Sequence, residues 1–165
     1  MPYRFQHDEP LAESVRRVAA EQIDRGLSEI ADRQRNPFEI VHQVRKRCKK
    51  LRGLLRLIRP FCETTYQYEN RQFREAAREL SAVRDAATVC ESFEKLKKTT
   101  GQPIPESFLA DISSKLSERR RHIADQDSQM ADGLKTMRDV LAAARARLLK
   151  WPLGDLQLAH VARGL

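Results

Sequence analysis

Apolar residues recur at helical spacing along four long stretches of this 165-residue chain, and breaks containing proline or glycine separate the stretches. There is no period-two alternation of useful length, so strands are not expected. The pattern predicts helices over about 9–33, 38–59, 65–98 and 105–149. Because short loops join them, we predict an all-α fold in a single domain over 1–165. Its architecture is an up-down four-helix bundle with one long C-terminal helix.

The predicted helix boundaries depend on local signals. Asn36-Pro37 supplies an N-cap and a first-turn proline for the second helix, which stops at Pro60. TTGQPIP ends the third helix, and Gly133 is the expected weak point of the fourth. A near-heptad seam defines the fourth helix: Leu109, Ile112, Leu116, Ile123, Met130, Leu134, Met137, Leu141 and Leu148.

Charge narrows the class of partner. Lysine and arginine total 31 against 23 acids, a formal charge of +8, which points to nucleic acid, polyphosphate or an anionic membrane. No apolar run is long enough to span a bilayer and the first residues do not form a signal peptide, so we expect no membrane partner. Three cysteines without a C-x-x-C pair argue against a disulfide framework, and a reducing cytoplasm is the expected location.

The second helix carries the densest charge. Between Val41 and Arg59 it has eight lysines or arginines and no acid. At 100° per residue, one side of this helix collects a cationic row about 21 Å long. This row consists of His42, Arg45, Lys46, Lys49, Arg52 and Arg56, and we call these six residues the basic row. Gly53 lies on the same side of the helix. Val44, Leu51, Leu55 and Ile58 point the opposite way. Like charges one turn apart cost helix stability, so the row predicts a linear polyanion as ligand.

Further basic residues follow on the third helix. Arg71, Arg74 and Arg78 share one of its faces, with Glu75 and Glu79 on the flank. Arg84 precedes Asp85 and either forms an ion pair that sets register or belongs to the anion site. The alternative for the basic row itself is a solvated face that carboxylates of a neighbouring helix neutralise. Gly53 either lets an anion lie close or relieves crowding against another helix.

Catalytic and metal sites are not expected. The histidines have no partner at metal-ligand spacing, and no phosphate-binding loop, nucleophile elbow or H-E-x-x-H motif occurs. His42, inside the basic row, could donate to a phosphate oxygen. The residues therefore predict a non-enzymatic binding protein without a cofactor.

Two segments resemble the CHAD domain, the conserved histidine α-helical domain. VHQVRKRCKKLRGLLRLIRP at 41–60 has the family's V-H-x-x-R-K-x-x-K-x-L-R pattern, and ELSAVRDAATVCESFEKL at 79–96 resembles its L-x-x-x-R-D segment. The resemblance covers about Phe5 to Leu165. His42 matches the histidine that gives the family its name, and Arg45, Lys46, Lys49 and Arg52 match its basic helix.

The resemblance implies binding of inorganic polyphosphate and association with polyphosphate granules. A typical CHAD domain has two four-helix units related by a pseudo-two-fold axis, whereas this sequence has only the first. Its tail at 155–165 resembles the start of the second unit. A homodimer is therefore a candidate assembly, in which a second copy covers apolar surface that includes the Trp151 to Leu165 tail.

Two rival functions fit the same charge. A nucleic-acid binder is less expected, because the basic helix has no interleaved aromatic residues and no asparagine or glutamine suited to base edges. A structural or regulatory module could instead dock an acidic protein on the basic row.

Overall fold

The computed structural model describes residues 3–6, 8–80, 92–93, 95–96, 106–124 and 127–162. These residues contain six α-helices, a 3₁₀ turn over Leu148–Lys150 and no strand, so the predicted all-α fold is confirmed. The helices are α1 (Leu11–Ala31), α2 (Pro37–Ile58), α3 (Glu63–Glu79), α4 (Glu106–Ala124), α5 (Asp127–Arg147) and α6 (Leu158–Ala162).

Four of these helices, α1, α2, α3 and α5, form the bundle, and each packs on two of the others. Between α2 and α3, Arg45 contacts Ala77 whereas Arg52 contacts Asn70, so the two helices run in opposite directions. Helices α3 and α5 are also antiparallel, because Glu69 contacts Arg147 whereas Leu80 lies against Gly133. Helices α5 and α1 are antiparallel as well, with Asp24 at Arg145 and Gly26 at Leu141. The up-down arrangement follows from this alternation.

The start of α2 forms as its sequence predicts. The Asn36 side chain accepts a hydrogen bond from the backbone N–H of Phe38, 2.9 Å away, and Pro37 occupies the first turn, where its missing N–H costs nothing. One side of α2 then enters the core, and the predicted stripe is completely buried: Val44, Leu51, Leu55 and Ile58. This burial fixes the rotation of α2 and thereby turns its other side outward.

The predicted third helix, 65–98, does not continue through Leu80, and of the later residues 81–91, 94 and 97–98 lie outside the described residues. Helix α3 begins at Glu63 and ends at Glu79, and Leu80 adopts a turn conformation. Leu80 is completely buried against Gly133 of α5. Neither glycine nor proline marks this end in the sequence. What distinguishes the end in the structure is the packing of Leu80 against α5, a tertiary contact.

In the structure, the region of the predicted fourth helix, 105–149, contains the two helices α4 and α5. Residues 125–126 between them lie outside the described residues. Only α5 belongs to the bundle. Its part of the seam is buried at Met130, Met137, Leu141 and, just beyond its end, Leu148. In contrast, every α4 side chain that the structure describes is exposed or half-buried, including Leu109, Ile112 and Leu116.

Helix α5 continues through Gly133, the residue predicted as the weak point of the fourth helix. The residue is buried, and a Cβ there would lie 2.9 Å from Cδ2 of Leu80. The missing side chain therefore serves the close approach of α5 to the end of α3.

The tail after α5 folds back onto the bundle. Helix α6 contacts α2, and the rings of His160 and Phe61 lie 4.8 Å apart. Trp151, Leu153, Leu156 and Val161 are all buried. The expectation that this tail leaves its apolar residues uncovered is therefore wrong for these four, although Leu149 and Leu158 remain 78% and 72% exposed.

A buried ion pair fastens α3 to α5. The guanidinium of Arg147 donates from Nε and NH2 to the two carboxylate oxygens of Glu69, at 2.8 and 2.9 Å, and the Glu69 side chain is only 3% exposed. The same guanidinium lies 5.0 Å from the centre of the Tyr68 ring. Removal of Arg147 would leave a buried carboxylate without a counter-charge.

We expect Arg147→Met to lower the free energy of unfolding by roughly 2–3 kcal/mol, somewhat less than for a fully buried pair because Arg147 is partly exposed. Urea unfolding followed by circular dichroism measures the change. The matched control is Arg138→Met, at an exposed arginine of the same helix, which should cost under about 0.5 kcal/mol. Equal losses in the two variants would contradict a special role for the Glu69 pair.

Candidate anion-binding groove

A groove of about 390 Å³ opens between α2 and α3. Cys48 of α2 and Ala77 of α3 line this groove. The other described lining residues are five members of the basic row: His42, Arg45, Lys46, Lys49 and Arg52. Arg56, the last residue of the basic row, is exposed on the same side of α2 one turn beyond Arg52. The structure therefore brings the predicted row of α2 together, and none of the described residues of the lining is a carboxylate.

Two arginines of the groove are held by polar groups of α3. Arg45 NH1 donates a hydrogen bond to the carbonyl oxygen of Ala77. Arg52 Nε donates to Oδ1 of Asn70 at 2.8 Å. Both acceptors are neutral, so these two contacts orient the guanidinium groups without bringing a negative charge into the groove.

The lysines of the basic row differ from these arginines. Lys46 and Lys49 are exposed, and neither forms an ion pair with a carboxylate that the structure describes. The ion pairs of α2 lie outside the row, where Arg47 meets Glu29 at 2.7 Å and Arg59 meets Glu63 at 2.8 Å. Within the described part of the chain, the alternative of a row neutralised by a neighbouring helix is therefore not supported for the two lysines.

The second basic face lies beside the groove rather than in it. Arg71, Arg74 and Arg78 are all exposed on α3, and none of them lines the groove. Arg74 is nearest to it, because it is one turn from both Asn70 and Ala77, the two residues that contact α2. Arg84 lies outside the described residues.

Cys48 forms the floor of the groove, a place that sequence reasoning did not give it. Its side chain is 1% exposed, and Sγ lies 3.3 Å from Sδ of Met137 in α5. Burial raises the pKa of the Cys48 thiol to about 12, although the nearby charges of Arg45 and Arg52 act to lower it. The floor is therefore neutral and weakly polar.

Asn70 and Ala77 were not predicted as groove residues, because neither carries a charge and the prediction was based on the charge pattern. The antiparallel pairing of α2 with α3 would identify them, because the residue numbers of facing positions in such a pair have a nearly constant sum. Arg45 with Ala77 and Arg52 with Asn70 give the same sum. Once the turn at Pro60 fixes that sum, the facing residues of α3 can be found from α2.

The N-terminal segment lies along the other edge of the basic row. The Tyr3 hydroxyl donates to the carbonyl oxygen of Lys50 at 2.7 Å, and Nζ of Lys50 lies 5.2 Å from the centre of the Tyr3 ring. Burial and the charges of Arg47 and Lys46 lower the pKa of the Lys50 ammonium. At Gly53 the nearest atom to an added Cβ is Tyr3 Oη at 3.9 Å, so crowding by another helix does not explain that glycine.

The groove can attract and hydrogen-bond an anion through the arginines and lysines of its lining. Among the residues that the structure describes, no group of three histidines, cysteines or carboxylates could hold a metal ion. Across that same part of the chain, no helix combines the length and the apolarity that crossing a membrane requires.

Fold and groove together define an all-helical bundle with a basic groove on one helix pair. The chain belongs to the CHAD domain family, whose sequence profile matches residues 17–165. The family predicted from the two segments is thus confirmed, and the match includes both of them. Comparisons with curated proteins and with solved structures found no match.

We expect the buried thiols of Cys48 and Cys62 to resist alkylation in the folded protein. Burial raises the pKa of Cys62 as well, to about 11. At pH 8 a thiol of pKa about 12 is thiolate in only about one molecule in ten thousand. Maleimide labelling mapped by mass spectrometry should therefore be slow at both cysteines and become fast in urea. Rapid native labelling of Cys48 would contradict a closed floor.

Proposed function

We propose that the protein binds inorganic polyphosphate along the α2–α3 groove and acts as a binding module rather than as an enzyme. The observation that carries the proposal is the groove itself: among the described residues, its lining has four cations and a histidine but no carboxylate. CHAD domains are associated with polyphosphate-related proteins, which favours this polyanion over others.

The groove suits a linear chain of phosphates in shape and charge. Its lining from His42 to Arg52 extends about 15 Å along α2, and Arg56 continues the same side for a further 6 Å or so. A linear polyanion can contact several of these charges at once, whereas a single phosphate contacts only one or two. Charge-assisted hydrogen bonds from arginine and lysine supply the affinity, and each contact also relieves repulsion between neighbouring cations.

The first test reverses the charge of Lys46 and Lys49, the two lysines that have no described carboxylate partner. We expect Lys46→Glu combined with Lys49→Glu to weaken polyphosphate binding at least a hundredfold, because two attractive charges become repulsive. Both side chains are exposed, so helicity and melting temperature should hold. Isothermal titration calorimetry against polyphosphate of defined length measures the loss.

Lys135→Glu combined with Arg138→Glu is the matched control, since these exposed cations have the same spacing on α5. That variant has the same net charge and should lose little affinity, because charges away from the groove act only through a screened field. Equal losses in the two double variants would show that net charge, and not the groove, controls binding.

The second test is the dependence on salt. If about five cations neutralise phosphates, the logarithm of the binding constant should fall against the logarithm of salt concentration with a slope of about −4, by analogy with nucleic acids. Titrations at several chloride concentrations give the slope. A flat response would contradict an electrostatic groove.

Competition at fixed salt separates polyphosphate from nucleic acid. We expect polyphosphate to displace labelled RNA and DNA at lower phosphate concentrations than are needed for the reverse exchange. Among the described residues of the groove lining there is no aromatic side chain on which a base could stack. Preferential retention of RNA or DNA would favour the nucleic-acid alternative, and binding only to an acidic protein would favour the docking alternative.

A further inference from the structure

One hydrogen bond in the groove joins a charged residue to a neutral one across the helix pair. Asn70 Oδ1 of α3 accepts from Nε of Arg52 at 2.8 Å, in a partly buried place. Arg52 forms no ion pair with a described carboxylate. Its guanidinium therefore keeps its full charge while its orientation is restricted.

The atom that Asn70 contacts determines what the guanidinium can still do. An arginine has five N–H donors in a planar fork, and an anion can be held by a pair of them. Since Nε donates to Asn70, the terminal NH1 and NH2 groups remain available to an anion. We call these two groups, at the far end of the guanidinium, the end-on pair. Arg52 itself contributes to the groove lining.

Holding the side chain before binding reduces the entropy that binding must remove. A long side chain that becomes ordered on binding costs about 0.5–1.5 kcal/mol, and a partner within the protein can supply that order in advance. An aspartate or glutamate at position 70 would also orient Arg52, but it would neutralise the charge that attracts the anion. An amide provides orientation alone.

We propose that Asn70 is a positioning residue of the groove, which presents the end-on NH1 and NH2 pair of Arg52 to a phosphate oxygen pair of the bound chain. The inference rests on the proposed polyphosphate binding. Asn70 itself does not contact the ligand in this arrangement, so its effect depends entirely on Arg52.

A double-mutant cycle tests that dependence. We expect Asn70→Ala to weaken polyphosphate binding roughly three- to tenfold, the range that ordering one such side chain corresponds to. In an Arg52→Ala background the same substitution should change affinity by less than about twofold, because the residue that it orients is gone. An undiminished effect in that background, or no effect in the wild-type background, overturns the proposal.

Asn70→Asp separates positioning from a structural role. The carboxylate keeps the hydrogen bond and adds an ion pair with Arg52, so melting temperature should hold or rise. Affinity should nevertheless fall by roughly tenfold, and the salt slope should become shallower by about one, because one cation is already neutralised. A purely structural asparagine would instead lose stability and affinity together.

Gln72→Ala and Gln72→Asp are the matched controls. Gln72 is an amide of the same helix two residues on, which places it on the other side of α3 from Asn70. The aspartate control adds the same charge to α3, so it measures the long-range effect of charge alone. If Gln72→Asp lowers affinity and salt slope as much as Asn70→Asp does, the proposed contact is wrong.

A measurement on the free protein separates failure of this inference from failure of the proposed function. The Nε–H group of Arg52 should give a resolved and slowly exchanging NMR signal that Asn70→Ala abolishes and Gln72→Ala leaves unchanged. A wild-type protein that shows this signal but does not bind polyphosphate contradicts the proposed function. Absence of the signal in the wild type contradicts the positioning of Arg52 whatever the ligand is.

Discussion

Repulsion among the cations of α2 is the constraint to which the rest of this structure responds. A helix with this charge density gains nothing from its own row, because neighbouring cations one turn apart destabilise it. Its stability comes from the other side, where Val44, Leu51, Leu55 and Ile58 are completely buried. The core therefore holds α2 in place, and the same packing keeps the basic row together on the outside.

Helix α3 meets the basic row with neutral acceptors. The Ala77 carbonyl and the Asn70 amide contact arginines of α2, whereas the buried carboxylate of this helix, Glu69, is directed to Arg147 of α5. An acid facing α2 would stabilise the free protein and weaken the attraction for an anion. The distribution of acids over α3 thus keeps the groove positive and still provides one strong ion pair for the bundle.

Much of this arrangement could be predicted from the sequence, because periodicity and capping are local properties. The start of α2, its buried stripe and its basic row follow from the Asn36-Pro37 cap and from spacing. The end of α3 at Glu79 could not be predicted, since it depends on Leu80 meeting Gly133, a residue far away in the chain. The neutral partners of the arginines were missed for a similar reason: only the antiparallel pairing of α2 with α3 reveals them. Arg84 was predicted for the site and lies outside the described residues.

The position of α2 in the core has a thermodynamic consequence. Eight residues of this helix are buried, so α2 cannot unfold locally without opening the core of the bundle. The basic row and the surface that holds the domain together are thus two sides of one element. By linkage, a ligand that binds only the folded chain adds its binding free energy to the stability of the whole bundle. Under the proposed function, a bound anion would therefore stabilise the fold, and the unliganded protein would be the less stable of two folded states.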